Sequence, residues 1–353
     1  PKHRPLILLD DGRVAAERRA GPSATFLDPE TLDEVEVVRG PGSVAYGSDA
    51  FGGIIRGRSR MPAPDISQVS TRYSLRLGTT GAERGALMDV SLPALGGGLL
   101  VGAQVREADD YSSPRGEVFN TAWSTQGYRV AWQGVVGTGV LHAAWRTDMA
   151  RDVGKPAPDS RQVRVVYPEE DSHRFNLGFE SPGPGRWTRL AASFAWDDTG
   201  LVLEKDRAPT ATAGGRVTRS EVDAEDYELR LEAERPIGDW RLVVGANVTG
   251  RFDLQARETE LVPGPCCGSL EEIFSELSIE DARRDDVGLF AAAGRSVGRW
   301  SLDVGVRGDR VRSDNQGGYF GDRSSASSAV SGFLAAGVEL HPDVRLTYQV
   351  ARG

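Results

Sequence analysis

From about Gln68 onward, apolar and polar residues alternate with period two, segment after segment. Tyr227, Leu229, Leu231 and Ala233 alternate with Glu228, Arg230, Glu232 and Glu234, and Leu302, Val304 and Val306 alternate with Asp303, Gly305 and Arg307. Phe175, Leu177 and Phe179 and, near the end, Val344, Leu346, Tyr348 and Val350 keep the same spacing. Successive side chains of a strand point to opposite faces, so each such segment has one apolar and one polar face. About thirteen such segments can be read, each near the ten residues of a tilted membrane strand and longer than the five or six of a typical soluble one.

The connections sharpen this reading. Every second one is a tight Gly/Pro turn, as at Leu95-Gly96, Gly137-Thr138, Gly238-Asp239 and Gly298-Arg299. Most of those between are long and polar: residues 109–122, 150–170, 200–221, 256–284 and 313–328. Short turns on one side and long loops on the other are the asymmetry of an outer-membrane barrel. Trp240 and Trp300 follow short turns on the apolar face, where an interfacial aromatic girdle belongs. The expected fold is mostly β: a transmembrane antiparallel β-barrel preceded by a small α+β domain. Mean hydropathy is −0.36, and no run approaches the ~20 apolar residues of a membrane helix. A barrel strand shows lipid only every second residue, so this value does not speak against it. The net charge of −9 over 353 residues argues against a nucleic-acid surface, which needs clustered Lys and Arg.

Residues 1–62 are organised differently from 63–353. Leu6–Leu9 reads as a short strand ending at the turn Asp10-Asp11-Gly12. Asp28 followed by Pro29 caps a short helix expected to run to about Glu34. A strand over residues 35–39, a glycine loop and a strand at 54–59 follow. Gly40-Pro41-Gly42-Ser43-Val44-Ala45 fits the G-x-G-x-x-G/A dinucleotide fingerprint. A nucleotide fold would open a long helix there, however, and Gly47, Gly52 and Gly53 each cost about 1 kcal/mol against Ala inside one. Nothing downstream reads as βαβ.

The segment "LDPETLDEVEVVRGPGSVAYGSDAFGGIIRGRSRMP", residues 27–62, resembles the end of the plug domain of TonB-dependent outer-membrane receptors. Glu36, Arg39, Gly40, Pro41, Ser43, Tyr46, Gly47, Ala50, Gly52, Gly53 and Ile55 fall on the family pattern (V/I)E(V/I)xRGPxSxxYGxxAxGGxI. "LILLDDGR" is similar to the family's strand and turn upstream. The strand after Gly53 is more basic than in the family. The family also carries a TonB box and the first half of the plug ahead of this point, and barrels of about 22 strands. The chain is therefore expected to be the C-terminal part of a plug with the first part of its barrel. An open half-barrel would leave unpaired edges in lipid.

The resemblance implies a receptor, not an enzyme, in the outer membrane of a Gram-negative bacterium. It would import a scarce ligand into the periplasm with energy relayed by the inner-membrane TonB complex. A ferric siderophore is favoured, on the ground of an arginine-rich wall. Cobalamin, haem or carbohydrate import, or a signalling or adhesion receptor, are the alternatives. Expected partners are TonB, a small-molecule ligand and outer-membrane lipid. Arg72, Arg76, Arg106, Arg129, Arg146, Glu228, Arg230, Glu232 and Arg307 fall on the inward face and suit a wet, charged wall around a plug. In the family the arginine of "RGP" meets barrel carboxylates, and Arg39 matches it; a solvated strand end is the other reading. The motif glycines are expected to permit positive φ and close packing.

Cys266 and Cys267 are adjacent in the longest loop. A vicinal disulfide, two free thiols and pairing elsewhere all stay open. Residues 269–277 read as a short amphipathic helix in that loop. Asp109-Asp110, Asp197-Asp198 and Asp285-Asp286 are read as loop pairs, solvated rather than calcium-binding, for lack of EF-hand spacing. The four histidines are scattered, and no metal, cofactor or catalytic constellation is expected.

Overall fold

The computed structural model describes residues 6–14, 28–38, 43–47, 50, 53–156, 161–210, 214–264, 269–341 and 344–352, the side chains of residues 43 and 45 excepted. The first unit is a small sheet: β1 (Leu6–Leu9), β2 (Gly12–Arg13), β3 (Leu32–Val38) and β4 (Ile54–Ser59), in the order β2-β1-β4-β3. β4 runs parallel to β1 and antiparallel to β3. Leu6, Leu8, Ala50 and Ile54 form its apolar core, with Tyr46 against it. The helix expected from Asp28 is only a 3-10 turn, Pro29–Thr31, and β3 already starts at Leu32. The cap is as expected: the Asp28 carboxylate accepts from the Glu30 amide at 3.0 Å, with proline in the first turn. The turn ends early because Leu32 to Val38 is held by the ladder to β4. A second helical turn, α1 (Ser43–Tyr46), follows β3.

The second unit is a meander of thirteen antiparallel strands. They are β5 (Ser70–Leu77), β6 (Arg84–Ala94), β7 (Gly97–Ala108), β10 (Trp123–Val136), β11 (Gly139–Lys155), β12 (Val163–Ser181), β13 (Arg189–Arg207), β14 (Arg216–Ile237), β15 (Trp240–Pro263), β16 (Leu270–Val297), β17 (Trp300–Asn315), β18 (Arg323–His341) and β19 (Val344–Arg352). A two-residue hairpin, β8 (Ser112–Ser113) with β9 (Gly116–Glu117), decorates the connection after β7. Among the described residues, β5 and β19 each pair on one side only. The sheet curls around the first unit, which touches β5 and β7 at one end and β16 to β18 at the other.

Register bears out the parity of the sequence. Arg129 lies opposite Arg146, Arg146 opposite Arg174 and Arg174 opposite Asp197, all buried on the inner face. Leu229, Leu231, Leu302, Val304 and Val306 lie exposed on the outer face. The connections differ from expectation. Much of 150–170, 200–221 and 256–284 is strand, not loop, and β14, β15 and β16 reach 22, 24 and 28 residues. A strand wet on both faces needs no apolar side; its ladder is supported by cross-strand ion pairs such as Arg151–Asp171 and Arg219–Glu204. For the same reason residues 269–277 form no helix. Leu270 to Leu277 pairs with Arg257 to Pro263 of β15, and a helix that short is marginal by itself.

Candidate functional site

The described residues that bring the two units together are mostly charged. The plug turn at Asp28 to Thr31 is the first focus. Five arginines converge on it, from four of five successive strands. Arg72 donates to the Glu30 carbonyl at 3.0 Å, and Arg76 pairs with the Glu30 carboxylate. Arg106 reaches Asp28, which is 3% exposed, at 3.3 Å. Arg129 donates to the Thr31 carbonyl at 3.4 Å, and Arg146 to the Thr31 hydroxyl at 2.9 Å. The wall neutralises these cations itself: Arg129 pairs with Asp89, Arg146 with Asp148, and Arg106 with Glu83 at 2.6 Å. Hydrogen bonding from Ser74, followed by Arg76, holds the Glu30 carboxyl below its ordinary pKa against the opposing effect of burial.

The arginines were legible by parity, but their target was not. The "DPET" segment reads as an ordinary helix start. Its acidic cap facing a line of inward arginines was the available signal.

The second focus is β2 with α1. Arg13 donates to the Tyr46 carbonyl at 2.7 Å and faces Glu228 at 3.8 Å. The Tyr46 ring lies under the Arg230 guanidinium, 4.7 Å from centroid to Cζ. Burial raises the pKa of the Tyr46 hydroxyl. Gly47 has φ +91°, and a Cβ there would stand 3.0 Å from Arg13 Nη2. Arg307, 1% exposed, lies beyond it and donates to Asp309 at 2.6 Å and Asn247 at 2.7 Å. At β2 the approach is close: a Cβ on Gly12 would sit 2.5 Å from the Ala195 Cβ, and Asn176 donates to the Asp10 carbonyl at 3.1 Å.

Beside β2 a cavity of about 210 Å³ opens between the units. The Arg174–Asp197 and Asp226–Arg251 pairs line it, the latter bidentate at 2.8 Å. Asp286 also lines it; it is 2% exposed, accepts no hydrogen bond among the described residues and faces Arg284 at 3.8 Å.

Of the motif residues, Tyr46 and Gly47 meet the wall. Glu36 instead faces Arg56 of β4 at 3.8 Å, within the plug sheet. Gly53 has left-handed φ, +113°, and Ser43 opens α1. Arg39, Gly40, Pro41, Gly52, Cys266 and Cys267 lie outside the described residues. Asp109-Asp110 lies in a loop with Asp109 exposed, as expected, but the other two acidic pairs are not loop charges. Asp197-Asp198 sits in β13 and Asp285-Asp286 in β16, where alternation sends one of each pair inward. Asp110 caps its loop by accepting from the Asn120, Thr121 and Ala122 amides at 3.1, 2.6 and 2.8 Å. Burial raises its pKa, but these three bonds outweigh it and leave the carboxyl lowered.

A small sheet with its own core, seated by charges inside a curled meander of long strands, defines a plugged β-wall. Residues 2–54 match the TonB-dependent Receptor Plug Domain, and residues 68–353 match the TonB dependent receptor-like, beta-barrel family. The chain belongs to the TonB-dependent receptors, whose members are receptors and transporters. It is similar to the ferrioxamine B receptor of Salmonella typhimurium, 42% identical over 71 residues, which cover 20% of this chain and 10% of that protein. The hemin receptor of Yersinia enterocolitica is 27% identical over 135 residues, covering 35% and 20%. The solved copper transporter OprC superposes with a TM-score of 0.80 at 18% identity, covering 99% of this chain and 55% of its own. The chain thus spans about half the length of that structure, and the likeness speaks to fold.

Among the described residues, no helix is long and apolar enough to cross a membrane; this has no bearing on strands.

Proposed function

We propose that the chain, with residues 1–62 as plug and 63–353 as wall, works in an outer-membrane importer. It carries a scarce small molecule, a ferric siderophore favoured, into the periplasm with energy from the TonB complex. The observation that carries this reading is the way the plug is held. The plug turn is gripped by five wall arginines rather than by an apolar seam, while the plug keeps its own core. Charged groups that separate can be rehydrated, so such a plug can shift without exposing a large apolar face. Arg39 belongs to the same reading as a further plug cation for wall carboxylates, while Cys266 and Cys267 are either a vicinal bridge, free thiols or paired elsewhere, which mass spectrometry with and without reductant decides.

The similarity to the ferrioxamine B receptor supports the siderophore as cargo, and the similarity to the hemin receptor keeps haem as the second reading. The arginine-rich wall no longer favours an anion. Arg129, Arg146, Arg174, Arg230 and Arg307 each have a wall carboxylate beside them.

Accumulation of radio-iron from a panel of ferric siderophores and from haem, and of radio-cobalt from cobalamin, tests this in cells supplied with the receptor, with and without TonB. We expect TonB-dependent uptake of a ferric siderophore. Uptake indifferent to TonB would sink the importer reading, and uptake of haem or cobalamin alone would replace the cargo.

A further inference from the structure

The inner face changes character toward the long connections. Up to the Arg174–Asp197 and Asp226–Arg251 pairs its layers are charged. Just beyond, the ladder is irregular on several strands. Asp152, Asp253 and Asp281 adopt left-handed φ of 52°, 51° and 46°. Pairing slips between Val166 and Glu169 of β12, between Asp223 and Glu225 opposite β15, and four times between β15 and β16, three of them between Arg251 and Arg257. A bulge sets two residues against one and turns the side chains that follow to the other face.

In β15, Thr249 and Arg251 line the cavity beside the plug, but past Asp253 it is Leu254 and Ala256 that face a separate hollow. Tyr167, Leu201, Leu203, Val222, Leu254 and Ile279 line this hollow, of about 110 Å³. Tyr167 is 3% exposed and packs with Ala150 and Val153. No described plug residue lines it.

Unbroken alternation would have kept Leu254 on the outer face. Turned inward, these side chains meet a water-accessible lumen, where apolar surface left wet costs about 25 cal/mol per Å². The hollow is of the order of the ~150 Å³ apolar cavity that holds benzene. Its edge carries the carboxylates Glu221 and Glu258 and the guanidinium of Arg257, with Arg219 3.6 Å from Glu221, so the edge favours neither sign and the apolar lining disfavours any ion. A buried aromatic floor suits a ring.

We propose that this hollow is a subsite for one uncharged, aryl-sized apolar group of the imported molecule. The assignment rests on the import reading above and narrows its cargo to molecules bearing such a group.

Benzamide is the probe, with benzoate and benzylammonium as charged counterparts. Saturation-transfer NMR on the full receptor in detergent reads each one, against empty micelles. We expect benzamide to bind the native receptor and benzoate to bind at least about tenfold more weakly, because an apolar hollow penalises a carboxylate. Leu254→Asp should bring the benzamide signal down to the micelle level. Ala256→Trp should do the same by filling the hollow without adding charge. Plug protease resistance reports that both variants are folded.

Equal benzamide signals in the native receptor and both variants, equal binding of benzoate, or no benzamide binding because another segment of the chain fills the hollow would each overturn the proposal. These readouts do not depend on uptake. A failed transport assay with benzamide bound would refute the importer alone, and intact uptake with no benzamide binding would refute the subsite alone.

Discussion

The plug sheet and the wall use the same two-residue alternation and bury opposite sides of it. In the plug, Leu8 is 1% exposed, while Glu30 reaches out to Arg76 of the wall and Glu36 pairs with Arg56 within the plug sheet. In the wall, Arg307 and Asp286 are among the most buried residues, while Leu231 is 48% exposed on the outer face. A strand sorts its faces by what each one meets: here the inner face carries the charges that meet the plug, and the outer face is apolar. The two units therefore fit by charge, each bringing its polar face to the other. The difference also predicts where each is fragile: the plug at its apolar core, the wall at its inner ion pairs.

The sharpest test of the wall is Arg129→Ala. It leaves Asp89 buried without its closest cation, with Arg72 3.6 Å away as the remaining one. Breaking a buried pair by removing one partner costs about 3–5 kcal/mol. We expect a loss of that order in the denaturant unfolding of the receptor, together with a plug more open to protease, since Arg129 also holds the Thr31 carbonyl. A loss below about 1 kcal/mol, the worth of an exposed pair, would mean that the inner face is solvated and the contrast with the plug is overstated.

Leu8→Ala probes the other side of the comparison. Truncating a buried leucine costs roughly 2–5 kcal/mol, depending on how the site collapses. The loss should fall on the plug: proteolysis within residues 1–62 accelerates while the unfolding midpoint of the wall stays put. A wall destabilised equally would show that the two units fold as one body and that the separate plug core is not an independent unit.

Strand existence was plain in the sequence because alternation is a local signal. Leu302, Val304 and Val306 announce an outer face, and Arg129 and Arg146 an inner one, before any pairing is known. Three things were not plain. The outer reaches of β14 to β16 carry charge on both faces, which in a single chain is indistinguishable from loop; only the partner strand makes it a ladder. The turn at Asp28 to Thr31 looks like any capped helix start, because its five arginines come from residues 72 to 146, far along the chain. And β15 keeps its apolar residues at even positions from Leu242 through Leu254, yet Leu254 lines the inner hollow. Period two reports that residues alternate, not which side they face, and a bulge at Asp253 changes the side without disturbing the period.

The smallest expected effect concerns the plug's grip under acid. Glu30 is partly exposed and its carboxyl is held below the ordinary 4.5, by hydrogen bonding from Ser74 and then Arg76. A carboxyl with a depressed folded-state pKa binds its proton more readily when unfolded. Its contribution is therefore fully present above about pH 4.5 and is lost as pH falls through the lowered value. Solvent screens the pair with Arg76, so the change is a shading of plug stability rather than a collapse. Protease resistance of the plug, followed downward from neutral pH, should begin to fall below about pH 4.5, and Glu30→Gln should remove that part of the profile. The variant should be weaker than the native protein at neutral pH and converge with it in acid. If the two profiles run parallel instead, the Glu30–Arg76 contact does not help to seat the plug, and the grip rests on Asp28 and Thr31, which offer Arg106, Arg129 and Arg146 the remaining contacts.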